Sequence, residues 1–145
     1  MTAYLLYYRE TSRIESTNAY MKRMAFYHGM STIVIDRKGD MPGSVPRFPT
    51  IDDAMEDPRF KDLTWIWLSL EDSAEYLDEH KHPEDNVIYC IGSDFDGFDG
   101  KDPATLSGPK LKLRQILKEK GEWYATTVVP LVVYDRFLYL QGRRK

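Results

Sequence analysis

Residues 81–98 read KHPEDNVIYCIGSDFDGF, a hydrophobic strand running straight into a glycine turn that carries two acidic residues and a second glycine. Val87, Ile88, Tyr89, Cys90 and Ile91 form an almost unbroken apolar run, as suits a central strand of a parallel sheet buried on both faces. The run stops at Gly92. Without a Cβ the backbone there turns sharply and lets a ligand lie against bare peptide. Open α/β sheets place their ligands at the carboxyl ends of their strands. Gly97 closes the loop. An ordinary strand-to-loop exit also accounts for an isolated G-S-D-x-x-G, so this motif needs its context.

The flanking sequence supplies a regular alternation. Residues 4–8 are a short apolar strand; Ser16 or Thr17 then caps a helix whose Met21, Met24 and Ala25 share one face before Gly29 stops it. Residues 31–35 form a second strand. Residues 39–49 hold three prolines and two glycines and are loop. Thr50 with Asp53 opens a short helix through Ile51, Ala54 and Met55, in the manner of a capping box. TWIWLSL, residues 64–70, is a third strand, residues 73–79 a short helix and residues 86–91 the fourth strand. Strands separated by short helices predict an α/β fold, a mostly parallel sheet with helices on both faces, in one domain spanning residues 1–145.

Composition agrees with that class and excludes others. The 145 residues are 42% apolar and 30% charged, the balance of a globular domain with a real core. No apolar stretch approaches the roughly 20 residues of a membrane span. The opening MTAYLLYYRE is charged too early for a signal peptide, so a cytoplasmic location and no membrane partner are expected. The single cysteine, Cys90, lies inside a strand and leaves no thiolate metal site or disulfide framework. His80 and His82 make an H-x-H pair without a third ligand, which predicts a surface or turn role and no metal.

A net charge of −3 is unlike that of a strong nucleic-acid binder. Its distribution is uneven. Acidic residues concentrate between Asp52 and Glu84 and again between Asp94 and Asp102, whereas Lys110, Lys112, Arg114, Lys118 and Lys120 cluster later and Arg143, Arg144 and Lys145 follow. The cluster is either a basic binding face or a solvated surface.

The order of elements and two motifs together resemble the SpoU (TrmH-like) branch of the SPOUT RNA methyltransferases. Asn18, Arg23 and Gly29 in NAYMKRMAFYHG stand where that family has its first motif, with the asparagine one residue closer than usual. His82 and Pro83, then Gly92, Ser93, Asp94 and Gly97, match its H-P and G-[SN]-E-x-x-G pattern, with aspartate for glutamate. The third motif departs. Tyr134 and Asp135 stand at the family's Tyr-Glu ending, but Glu122, Trp123 and Tyr124 occupy the S-L-N positions, so the asparagine is absent. The resemblance implies a C-terminal trefoil knot, S-adenosyl-L-methionine as cofactor, a tRNA or rRNA substrate methylated at a ribose 2′-hydroxyl, and a homodimer. It also implies cofactor contacts from Leu70, Ile91, Gly92, Ser93, Gly97 and Leu111, substrate contacts from Asn18 and Arg23, and catalysis by Arg23. Tyr124, whose phenol both donates and accepts, would replace the asparagine, and Asp94 would accept backbone hydrogen bonds within its own turn.

Several alternatives stay open. Residues 125–134, ATTVVPLVVY, are β-branched and suggest strands over 122–129 and 131–140. As the family's last helix they need Thr126 or Thr127 as N-cap, so that Pro130 falls in the first turn, with residues 110–113 as the fifth strand. The run DFDGFDGKD, 94–102, could be a calcium loop, though its spacing departs from the EF-hand. A non-catalytic RNA- or protein-binding module of the same fold would suit the lost S-L-N and the 13% aromatic content.

Overall fold

The computed structural model describes residues 2–10, 15–41, 43–69, 71–94, 96–114 and 125–143. Seven strands, β1 (Ala3–Tyr8), β2 (Ser31–Ile35), β3 (Arg47–Phe48), β4 (Thr64–Leu68), β5 (Glu75–Tyr76), β6 (Val87–Cys90) and β7 (Lys110–Lys112), form one sheet in the order β3-β2-β1-β6-β4-β7-β5. Every pairing is parallel. β6 lies between β1 and β4, with Tyr89 opposite Leu5 and Ile66. The apolar run Val87–Cys90 is thus a central strand.

Alternation along the strands divides the core in two. Leu5, Tyr7, Val87 and Tyr89 point to the face covered by α1 (Glu15–Tyr27) and α3 (Ala125–Leu140), where they meet Met21, Ala25, Val129 and Val133. Leu6, Tyr8, Ile88 and Cys90 point to the other face, against Ile51 and Ala54 of α2 (Ile51–Glu56) and the stacked rings of Trp65 and Trp67. Thr50 caps α2 as its sequence predicts, its hydroxyl accepting from the Asp53 amide at 3.2 Å.

Four elements differ from the sequence reading. Ser16 and Thr17 lie within α1, which is helical from Glu15; the small propensity penalty of a hydroxyl residue cannot set a boundary against the packing of Met21 and Ala25. Residues 73–79 are a turn, strand β5 and a short 3₁₀ turn, Leu77–Glu79. A single helical turn has little intrinsic stability, whereas β5 pairs with β7 and Tyr76 lies beneath Arg114 (4.0 Å) and Lys112 (4.8 Å). The proline-rich loop contains β3, which extends the sheet beside β2.

The last difference is α3, which settles the two readings in favour of helix over residues 125–140, residues 122–124 lying outside the described residues. Thr126 and Thr127 lie inside it rather than at its cap, and Pro130 is interior. The missing N–H and ring clash cost about 3 kcal/mol. Burial of Val128, Val129, Val132 and Val133 outweighs this at about 1.5 kcal/mol or more per side chain. Packing here overrides a β-leaning local preference.

Candidate ligand site at the carboxyl ends of β4, β6 and β7

Because β6, β4 and β7 are neighbours and parallel, their carboxyl ends open side by side. Between them is a cavity of about 360 Å³, walled by Leu68 of β4 and the following Ser69, Ile91 to Asp94 after β6, Leu111 and Lys112 of β7 with the following Leu113, and Val128 of α3. That volume falls within the range of small-molecule sites, roughly 300–1,000 Å³.

The glycine loop makes one wall. Ser93 and Gly97 exchange backbone hydrogen bonds of 2.8 and 3.2 Å, closing a tight turn in which Gly97 has φ 61°. A Cβ on Gly92 would stand 3.1 Å from the Gly97 Cα and 3.2 Å from its carbonyl carbon. Gly92 therefore lets the loop close without crowding Gly97, as well as presenting bare backbone to the cavity.

Five of the six residues expected to hold a cofactor, Ile91, Gly92, Ser93, Gly97 and Leu111, line this cavity. Leu70 lies outside the described residues, although Leu68 and Ser69 form the adjacent wall. Asn18 and Arg23 are not in that lining. Asn18 is buried in α1, its carbonyl accepting from the Tyr7 hydroxyl at 3.4 Å, and Arg23 is exposed on the same helix. Tyr124 lies outside the described residues, next to the first residue of α3. Lys101, Lys112 and Phe98 also line the cavity. Lys101 was the available signal in the sequence, a lone cation within an acidic run.

Asp94 is structural, and one of its partners lies on α3. Its Oδ1 accepts from the Ala125 N–H at 2.8 Å, capping α3, and its own N–H donates to Glu10 at 3.1 Å. A carboxylate at a helix N-terminus satisfies an orphan donor and opposes the helix dipole. Two other aspartates of the run meet on one cation. Asp96 and Asp99 both accept from Arg37, and Asp99 also accepts from the Ile51 N–H. With Asp94 turned to Ala125 and the Asp96 and Asp99 pair held on a guanidinium cation, these three carboxylates do not converge on a calcium-sized site. Among the described residues no three of His, Cys, Asp or Glu stand together as a metal site.

The H-x-H pair is buried, not at the surface. His82 bridges two elements, Nδ1 lying 2.6 Å from the Tyr89 hydroxyl and Nε2 2.7 Å from Asp135 Oδ2. The Nε2–H tautomer satisfies both contacts, donating to the carboxylate while accepting from the phenol. His80 packs edge-on against it and bonds Glu75 at 2.7 Å. The H-P and Tyr-Asp motifs, far apart in sequence, are thus one bonded unit joining α3 to β6. His82→Ala would leave the phenol and the carboxylate facing a void. It is expected to cost about 3 kcal/mol in urea unfolding; a loss below about 1 kcal/mol would show the bridge to be incidental.

The described part of the basic cluster is used internally. Lys110 donates to the Leu106 carbonyl, Lys112 to the Asp72 carbonyl, and Arg114 pairs with Asp78 and Glu79. Lys118 and Lys120 lie outside the described residues. The solvated-surface reading is favoured for the first three. Burial pushes the Cys90 thiol well above its usual pKa, so it is not a nucleophile.

No protein-family model matches the sequence, and no curated protein is significantly similar to it. Solved structures do match in shape. A TrmH/SpoU tRNA modifying enzyme of A. aeolicus superposes with a TM-score of 0.75 at 7% identity, covering 97% of this chain and 76% of that one. A protein solved for insight into the 2-OH methylation of C/U34 on tRNA gives 0.75 at 18% identity, over 98% of both chains. The fold is that of the SpoU methyltransferases. An AdoMet-bound rRNA methyltransferase of Sinorhizobium meliloti also superposes, with a TM-score of 0.70 at 13% identity over 96% of this chain and 57% of that one. At such identities the shared object is the overall backbone path.

Proposed function

We propose that this chain is an S-adenosyl-L-methionine-dependent RNA methyltransferase acting on a ribose 2′-hydroxyl of tRNA or rRNA. The observation that carries the proposal is the cavity walled by the Gly92–Gly97 loop at the strand ends of a SpoU fold. The residues present suit the cofactor. Apolar Leu68, Ile91 and Leu111 flank the space, and Gly92 exposes peptide groups able to hydrogen-bond an adenine edge.

When bound, S-adenosyl-L-methionine supplies an electrophilic methyl group. The protein's work is positioning and helping the hydroxyl lose its proton. Exposed Arg23 would pair with the target phosphate or favour the ionised oxygen, since a guanidinium stays charged and matches phosphate geometry. Tyr124 would take the positioning role of the absent asparagine, and Asn18 would support the substrate side of α1. The trefoil knot and a cytoplasmic location belong to the same proposal. No helix among the described residues is long and apolar enough to cross a membrane.

The proposal includes a homodimer. Phe26 and Tyr27 on α1 are 74% and 70% exposed, and Leu131 and Tyr134 on α3 are 44% and 53% exposed. α1 packs against α3, with His28 in edge contact with Tyr134, so these side chains suit one apolar surface for a second copy. Arg23, on the same helix, would then reach an active site completed across the pair. Light scattering is expected to give twice the chain mass; a monomer at high concentration would count against the assembly.

Titration calorimetry with S-adenosyl-L-methionine tests the function, and absence of binding would remove it. A non-catalytic RNA- or protein-binding module is the second reading, favoured by the lost S-L-N and the internal engagement of Lys112 and Arg114. Cofactor binding without methylation of any RNA pool would select it.

A further inference from the structure

We infer that Arg37 is a positioning residue that holds the cavity's glycine loop in its ligand-binding shape by clamping Asp96 and Asp99 on the loop's outer side. This rests on the methyltransferase reading of the cavity. Arg37 follows β2, on the opposite side of β1 from the cavity strands, and does not line the cavity.

Its Nη2 donates to Asp96 Oδ1 at 2.8 Å and to Asp99 Oδ1 at 2.9 Å, and its guanidinium lies 4.8 Å from the Tyr8 ring centroid. Asp99 Oδ2 accepts from the Ile51 N–H at 2.8 Å, so one carboxylate ties the loop to both β2 and α2. Asp99 is held at φ 55°, a conformation that side-chain-bearing residues rarely adopt without support. The inner side of the same loop presents Gly92, Ser93, Gly97, Phe98 and Lys101 to the cavity. The clamp and the ligand wall are therefore two faces of one short segment. Burial opposes the charge on Arg37, but the bonds and charges of Asp96 and Asp99 outweigh it and raise its pKa; Asp96 is correspondingly lowered, first by its bond to Arg37.

An isolated exposed ion pair contributes little. The clamp differs because its three members fix a loop that must already be shaped when the ligand arrives. If releasing it leaves the binding shape populated about one-tenth of the time, apparent affinity falls about tenfold.

The test compares wild type with Arg37→Met, Arg37→Lys and the control Arg59→Gln, which breaks a comparable pair with Asp57 away from the cavity. Hydrogen exchange without cofactor is expected to speed up at Gly97, Gly100 and Lys101 in Arg37→Met while the Ile91 amide, bonded to Leu6 within the sheet, is unchanged. Calorimetry should show about tenfold weaker S-adenosyl-L-methionine binding in Arg37→Met, partial recovery in Arg37→Lys and wild-type affinity in Arg59→Gln. The KM for the cofactor should rise with kcat at saturation unchanged. Loop exchange at the wild-type rate in Arg37→Met would overturn the clamp whatever the cofactor does. Faster exchange with unaltered affinity would overturn its role in binding. A wild type that binds no cofactor would overturn the functional reading and, with it, the ligand half of this inference.

Discussion

Replacing Gly92 with valine is expected to abolish S-adenosyl-L-methionine binding while leaving the protein folded. A Cβ at this position would meet the Gly97 Cα at 3.1 Å and its carbonyl carbon at 3.2 Å, and both are backbone atoms that cannot rotate away. The turn closed by the Ser93 and Gly97 hydrogen bonds must then shift by a few tenths of an ångström. Valine's two methyl groups add bulk on a wall of the cavity itself. Strain of this kind costs about 1–3 kcal/mol, a loss a 145-residue domain can absorb. Loss of ligand shape has no such reserve, and a Kd raised by at least about 100-fold, or about 2.7 kcal/mol, is the expected calorimetric result. Near-wild-type affinity in a folded Gly92→Val protein would mean that the ligand does not use this loop.

Arg23→Ala is expected to remove methyl transfer, by about a thousandfold or more in kcat, with stability and cofactor affinity unchanged. The asymmetry follows from its position. Arg23 is exposed on α1 and does not line the cavity, so its loss should alter neither packing nor the ligand wall; surface changes of this kind stay within about 0.5 kcal/mol. A charge acting only on the target phosphate or the developing oxyanion affects turnover alone. Tyr124→Phe should lower turnover by about tenfold or more with a smaller effect on cofactor affinity. Single-turnover assays with an RNA that the wild type methylates would decide both. Full activity in the two variants would place the reacting groups elsewhere.

The two predictions differ in how they depend on the fold. Gly92 sits within a wall whose geometry is on view, whereas Arg23 reaches the chemistry only through the proposed assembly. A Gly92 result therefore tests the cavity, and an Arg23 result tests what is brought to it.

The glycine loop and its strand were legible in sequence because both signals are local: an apolar run of strand length and a residue lacking Cβ. Strand β2 and the Thr50 cap were legible for the same reason. Five of the six residues that the family resemblance implies for the cofactor line the cavity at the strand ends. Misassigned elements were those whose local signal is weak or contrary. Residues 75–76 become strand because an edge was available beside β7, and no window of sequence contains that edge.

By itself, then, the sequence determined the α/β class, the central position of β6, the sharp turn at Gly92 and the unbroken apolar run that buries β6 on both faces, all set by backbone sterics and burial over a few neighbouring residues. Only the tertiary structure decided that the valine-rich segment after residue 124 is helix, because its helical state is stabilised by α1 and the sheet rather than by propensity. It also decided that Asp94 caps that helix, that His82 joins Tyr89 to Asp135, and that Arg37 grips the loop from across β1. Each of these contacts unites residues distant along the chain, and the free energy that selects them exists only once the sheet has brought them together.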